Sequence, residues 1–71
     1  MKQVDIMKSI EYNRRKLGYK QYEFAQMMEL TPVQYSKIKS NKRGLYGTEL
    51  YALAQALNIT MDQLIYYEVK I

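Results

Sequence analysis

Residues 21–43 read QYEFAQMMELTPVQYSKIKSNKR, and this stretch decides the fold. It divides into two short helices around a tight turn, followed by a basic loop. Residues 21–28 make the first helix, apolar on the face carrying Phe24, Ala25 and Met28. Glu29 and Leu30 form the turn. Thr31 supplies a side-chain oxygen to the orphan N–H groups of a second helix over 32–40. Pro32 takes its first position, where the missing N–H costs nothing. Tyr35 and Ile38, three apart, face the core, while Val33, Gln34, Ser36 and Lys37 point mainly outward. A helix built to enter a groove has this layout, one side clamped and the other offered.

Toward the N-terminus, residues 5–17 predict another helix. Ile6, Ile10 and Leu17 lie on one stripe with Met7 beside it, and Asn13 sits where a fuller apolar stripe would continue. Arg14, Arg15 and Lys16 place positive charge at the negative end of the helix dipole. Gly18 then provides a left-handed cap. The basic run reads as helix capping in preference to phosphate contact. The helix from Gln21 has Lys20 at its cap position, so Glu23 keeps only the acidic half of a capping box and a slightly frayed start follows.

Toward the C-terminus, Ser40-Asn41-Lys42-Arg43-Gly44 reads as a turn with exposed amides and two cations, with Asn41 suited to left-handed geometry. It can lie along a phosphate backbone or be a plain solvated loop; the first is favoured. A fourth helix over 48–57, capped by Thr48 or Gly47, carries an inner stripe of Leu50, Leu53, Ala54 and Leu57 and ends at Asn58. Thr60 and Gln63 form a capping box opening a short fifth helix over 61–66, with Met61, Leu64 and Ile65 apolar. In the tail, 67–71, apolar and polar residues alternate. Either it is a strand in need of a partner, or the fifth helix runs on and frays.

At 71 residues the chain makes one domain with a small core, burying about 60% of its extended surface. The absence of cysteine excludes a disulfide framework and a thiolate metal site. The absence of histidine removes the usual remaining zinc ligand and the commonest general base. No apolar run approaches the roughly 18 residues of a membrane span, and MKQVDIMKS has no apolar segment of a signal peptide. The carboxylates, Glu23 with Glu29 or Glu49 with Asp62, have no spacing that suggests a shared catalytic site. No loop has phosphate-cradling character. The chain is read as a non-enzyme with no cofactor and no metal. Eleven Lys and Arg against seven Asp and Glu, a net charge of +4, favour a polyanionic partner. Most of the eight tyrosines are expected to fill the core with the hydroxyl at the surface.

The ordered set Gly18-Tyr19-x-Gln21-x-x-Phe24-Ala25, Leu30-Thr31, Tyr35-Ser36-x-Ile38, Lys42-Arg43, Leu50-x-x-Leu53-Ala54-x-Ala56-Leu57 and Ile59-Thr60-x-Asp62-x-Leu64 resembles the lambda-repressor-like helix-turn-helix domain, also called the xenobiotic-response-element type. The resemblance spans roughly residues 6–65. It implies an all-α, compact five-helix DNA-binding domain with the helix-turn-helix at helices 2 and 3. Lys20 stands where the family commonly has Ser or Thr as a cap, and three further departures stand in the motif. Glu29 occupies a turn position where the family usually has Gly. Asn41 replaces another Gly. Lys39 stands where the family often has a glutamate pairing with an arginine at the Arg14 position, so Arg14 must find another partner or none.

The resemblance implies a sequence-specific, DNA-binding transcriptional regulator in a bacterial cytoplasm, at the host nucleoid. Base-edge roles then fall to Pro32, Val33, Ser36 and Lys37, with Gln34 the one amide able to read adenine. Backbone roles fall to Gln21, Thr31, Asn41, Lys42 and Arg43. Lys37 can donate to guanine, and Val33 and Pro32 offer only apolar contact. The same face suits a protein partner instead, through Tyr22, Pro32, Val33, Gln34, Lys37 and Tyr46. Small stand-alone domains of this family occur in the switches between lysis and lysogeny of temperate phages, as Cro-like repressors or as modulators of repression acting with a CI-type repressor. The length and layout resemble both, so the partner is operator DNA or a cognate phage repressor. A homodimer through the tail is one way to bring two recognition helices together.

Overall fold

The computed structural model describes residues 2–65. These form five helices in the order α1 (Gln3–Leu17), α2 (Gln21–Met27), α3 (Pro32–Lys39), α4 (Gly47–Leu57) and α5 (Met61–Ile65), with no strand among the described residues. The all-α, five-helix fold expected from the sequence is what forms. The tail over 67–71 and the extension of the fifth helix to residue 66 lie outside the described residues.

One core joins all five helices. Met7 and Ile10 of α1, Phe24, Ala25 and Met28, Tyr35 and Ile38 of α3, Leu50, Leu53 and Ala54 of α4, and Leu64 of α5 are all buried. α2 packs on α3 and α4, α1 on α3 and α5, and α4 on α5.

Helix α1 departs from its expected form twice. It begins at Gln3 instead of residue 5, and Leu17 is half exposed instead of joining the core. The inward stripe runs through buried Met7, Ile10 and Glu11 to half-buried Arg14, the i, i+3, i+4, i+7 spacing of one helical face. Two of these four are charged, so the apolar residues alone point to a neighbouring stripe. Asn13, at the gap in that stripe, donates to Ser9 O (2.9 Å) and to Leu64 O (3.2 Å), fastening α1 to α5.

Four of the helices end in the same way. The residue after the last turn takes a left-handed conformation, at Gly18 (φ 82°), Glu29 (φ 60°), Asn41 (φ 63°) and Asn58 (φ 56°). The following amide then bonds back to a carbonyl five residues earlier: Tyr19 N to Arg14 O, Leu30 N to Ala25 O, Lys42 N to Lys37 O and Ile59 N to Ala54 O. These are Schellman caps. The amides of Asn41 and Lys42, expected to be exposed, are therefore consumed by the end of α3.

At the helix starts, Thr31 Oγ1 accepts from Gln34 N and Gln34 Oε1 accepts from Thr31 N. Thr60 and Gln63 repeat this reciprocal box at α5. At α2 only half of it exists, with Glu23 Oε1 accepting from Lys20 N at 2.7 Å. The cap of α4 differs from expectation. Gly47 is already helical and Tyr46 is the cap residue, its N–H donating to Glu49 Oε1 at 3.0 Å. Tyr46 has no short side-chain acceptor for the helix N–H groups; the acidic side chain in the first turn instead takes the cap residue's own N–H, and neither Thr48 nor Gly47 is the cap.

Candidate nucleic-acid interface

Helix α3 is held by Tyr35 and Ile38, both 1% exposed, and presents Pro32, Val33, Ser36 and Lys37 to solvent. Its inner side is tied down by more than apolar contact. The Tyr35 hydroxyl donates to Glu11 Oε2, and Glu11 also receives Nε and Nη2 of Arg14 at 3.0 and 2.9 Å. Arg14 Nη1 donates further to Tyr19 O at 2.8 Å. Arg14 has thus found its partner within its own helix, one turn back at Glu11, in place of the missing acid at position 39.

Burial alone would raise the Glu11 carboxyl, but the hydrogen bonds from Arg14 and Tyr35, with the charge of Arg14, outweigh it and hold the group below the usual carboxylate value. Tyr35 is pushed well above the ordinary phenol value, first by burial and then by its bond to the Glu11 carboxylate. A phenol that stays protonated and a carboxylate that stays charged make this a fixed strut between α1 and α3.

The candidate residues on the outer side are not equivalent. Val33 is 63% exposed, a large apolar side chain offered to solvent in the first turn of α3. Gln34 is half-buried, and its Oε1 is taken by the box at Thr31. A bidentate grip on adenine needs both ends of the amide, so it would break that cap. Thr31 accepts through Oγ1 and keeps its hydroxyl proton for another acceptor. Gln21 stands half-buried at the first position of α2.

In the loop after α3, Asn41 and Lys42 are exposed. Arg43 is placed differently from the free loop cation expected. Its Nη1 and Nη2 bond Glu49 Oε1 and Oε2 at 3.0 and 2.8 Å, a two-pronged ion pair. Its guanidinium also lies 5.0 Å from the Tyr46 ring centroid. The Glu49 carboxyl is lowered, chiefly by the hydrogen bond from Arg43. Tyr22, Val33 and Tyr46, the apolar part of the alternative partner surface, are each more than half exposed.

Three residues that organise this face carry no signal in the sequence as a site. Glu49 is legible only as a lone carboxylate, Glu11 only as an i, i+3 partner for Arg14, and Gln3 not at all. Gln3 reaches from α1 to the far end of α3: its Nε2 donates to Ile38 O (3.2 Å) and Arg43 O (2.7 Å), and its Oε1 accepts from Leu45 N (3.0 Å). Among the described residues no cluster of three or more His, Cys, Asp or Glu could hold a metal ion. No described helix is long and apolar enough to cross a membrane.

A short helix clamped on one side and open on the other, packed against its predecessor across a tight turn, defines a helix-turn-helix protein. The helix-turn-helix family model matches residues 10–64, and the chain belongs to that family, of the lambda-repressor-like kind. It is a family of DNA-binding regulatory domains, not of enzymes. No curated protein and no solved structure matches the chain.

Proposed function

We propose that α3 enters a DNA major groove and that the protein is a sequence-specific regulator of transcription, of the Cro-like kind that works in phage lysis–lysogeny switches. The observation that carries this reading is the Schellman cap at the end of α3. In a Schellman cap the residue after the left-handed position usually packs an apolar side chain back on the helix. Tyr19, Leu30 and Ile59 do so here, each packed against the core. After α3 the same position holds Lys42, exposed. The end of the recognition helix thus carries a cation where the other three ends carry a core contact. In this reading Lys42, Asn41, Thr31 and Gln21 hold phosphates, Lys37 and Ser36 meet base edges, and Pro32 and Val33 touch thymine methyls. Gln34 acts first as the cap. The phage setting rests on likeness of size and layout.

A second reading takes the same face as a docking surface for a CI-type repressor, which would make the protein an antirepressor or modulator of repression. The exposure of Tyr22, Val33 and Tyr46 favours it, because apolar area is of little use against phosphates.

Salt separates the two. Phosphate-driven binding weakens with a log–log slope near −0.9 per phosphate neutralised, so titrating duplex DNA selected from a random library at several salt concentrations is the test. A steep slope and a selected consensus support the DNA reading. No selectable sequence, together with salt-insensitive capture of a repressor that Val33→Glu abolishes, would replace it with the second.

A further inference from the structure

We propose that Gln3 is a positioning residue for the backbone-gripping loop, so that the first turn of α1 is needed for DNA binding although it touches no DNA. This rests on the DNA reading above. The loop between α3 and α4 carries Asn41 and Lys42 but is too short and too polar to be held by a core of its own; only Leu45 packs against the apolar cluster. It is held by side chains from two other helices. From α4, Glu49 takes the Arg43 guanidinium and the Tyr46 N–H. From α1, Gln3 takes the backbone of Ile38, Arg43 and Leu45.

The Gln3 bonds fit this role closely. One amide group bridges the penultimate residue of its neighbour helix, Ile38, to the two loop residues that flank Gly44, the first of which follows directly on Lys42. Both its ends are used, the nitrogen as donor to two carbonyls and the oxygen as acceptor from one amide. Ile38 O also accepts from Asn41 N at 3.0 Å, so the carbonyl that closes the α3 cap is the one Gln3 fastens to α1. Lys42 therefore sits between a capped helix end and a loop strand pinned at Arg43 and Leu45. A cation presented from a pinned backbone loses less freedom on meeting a phosphate than one presented from a loose loop.

The experiment uses the whole chain with two variants. Gln3→Met keeps the length and bulk of the side chain and removes every hydrogen bond. Gln3→Glu keeps an acceptor for Leu45 N and sets a carboxylate against the two carbonyls. Binding is measured on a duplex selected by the wild-type protein from a random library and on an unselected duplex. We expect Gln3→Met to weaken both roughly tenfold, with the salt slope unchanged, because no phosphate contact is lost. Gln3→Glu should weaken both in the same direction. In a Lys42→Ala background most of the Gln3→Met loss should disappear, since Gln3 acts through the loop; a merely structural residue would give additive losses. Independently of DNA, the Leu45 amide should exchange faster in Gln3→Met while core amides such as that of Leu53 stay protected.

Unchanged exchange at Leu45 would overturn the clamp itself. A loosened Leu45 with unaltered DNA affinity, or losses additive with Lys42→Ala, would overturn the positioning role. Wild-type protein that selected no duplex would sink the DNA reading and the role with it, while the Leu45 exchange would still report the clamp.

Discussion

Tyr35 donates its phenolic proton to the Glu11 carboxylate across the seam between α1 and α3, 24 residues apart in sequence. Glu11 in turn binds Arg14, which ties the chain just past its own helix through Tyr19 O. One acid thus joins α3 to α1 and holds the arginine at the end of α1. Tyr35→Phe leaves the packing and removes the donor, so we expect a loss of about 1.5–3 kcal/mol, the scale for a hydrogen bond to a charged group. The pH dependence has a defined sign. The folded-state Glu11 carboxyl lies below its ordinary value of 4.5, so its contribution is fully present above that value and is lost as pH falls through the lower, folded-state value. Urea denaturation from neutral pH downward should show stability falling below about pH 4.5. Tyr35→Phe removes one of the bonds lowering that carboxyl, so its acid limb should be shallower. An acid limb as steep as the wild type's would assign the effect elsewhere, to Glu49 first.

Glu29 holds φ 60° in the turn between α2 and α3 and is exposed. A side chain there costs on the order of 1 kcal/mol that glycine does not pay. Glycine in turn has more freedom to lose on folding. The first effect should win because the conformation is left-handed, and Glu29→Gly should raise stability by about 0.5–1 kcal/mol. Thermal and chemical denaturation check this. A destabilised Glu29→Gly protein would show that glycine's loss of freedom, or a contact of the Glu29 side chain, outweighs the left-handed strain.

The fold was largely legible in the sequence because its determinants are local and apolar. Tyr35 with Ile38, Phe24 with Met28, and Leu50 with Leu53 and Ala54 repeat at helical spacing, Thr31 marks a helix start by its side chain, and Gly18, Asn41 and Asn58 mark ends by their own backbone preferences. α1 was harder to read because half of its inward stripe is Glu11 and the half-buried Arg14, which look like surface residues until Tyr35 is brought beside them. The outward set on α3 follows from the phase of Tyr35 and Ile38. What holds that set in place does not, since Gln3 and Glu49 act on residues brought near by the tertiary fold. The occupied state of Arg43 was hidden for the same reason: a cation beside Lys42 reads as a phosphate contact unless the acid opposite it is known.

Lys42 gives the clearest trade between stability and binding. Lys42→Ile restores at α3 the apolar residue that Tyr19, Leu30 and Ile59 supply at the other Schellman caps. We expect it to leave stability equal or raise it by a few tenths of a kcal/mol. It should weaken DNA binding to every sequence alike and lower the salt slope by about one. Lys37→Ala should act differently, costing roughly tenfold or more at one base pair and little elsewhere. Sequence-resolved binding at several salt concentrations separates the two. A Lys42→Ile variant with altered sequence preference, or Lys37→Ala with none, would exchange their roles.

Arg43 and Glu49 supply the last prediction, because their ion pair holds back a charge the loop could use. A guanidinium stays charged at any working pH, but here its two terminal nitrogens both face the Glu49 carboxylate. Glu49→Gln keeps an oxygen for the Tyr46 N–H that caps α4 and removes the negative partner. Arg43 is then available to a phosphate. We expect the variant to bind duplex DNA about fivefold more tightly at low salt, with a salt slope steeper by about 0.9, the value for one further phosphate neutralised. Arg43→Ala in the wild-type background should change the slope less than Lys42→Ala does, since its charge is already matched. The double variant Arg43→Ala with Glu49→Gln should lose the gain, which ties it to Arg43 and not to the general removal of an acid near the duplex. If Glu49→Gln leaves affinity and slope unchanged while α4 stays folded by circular dichroism, the pair does not restrain binding, and Arg43 serves only to brace the loop.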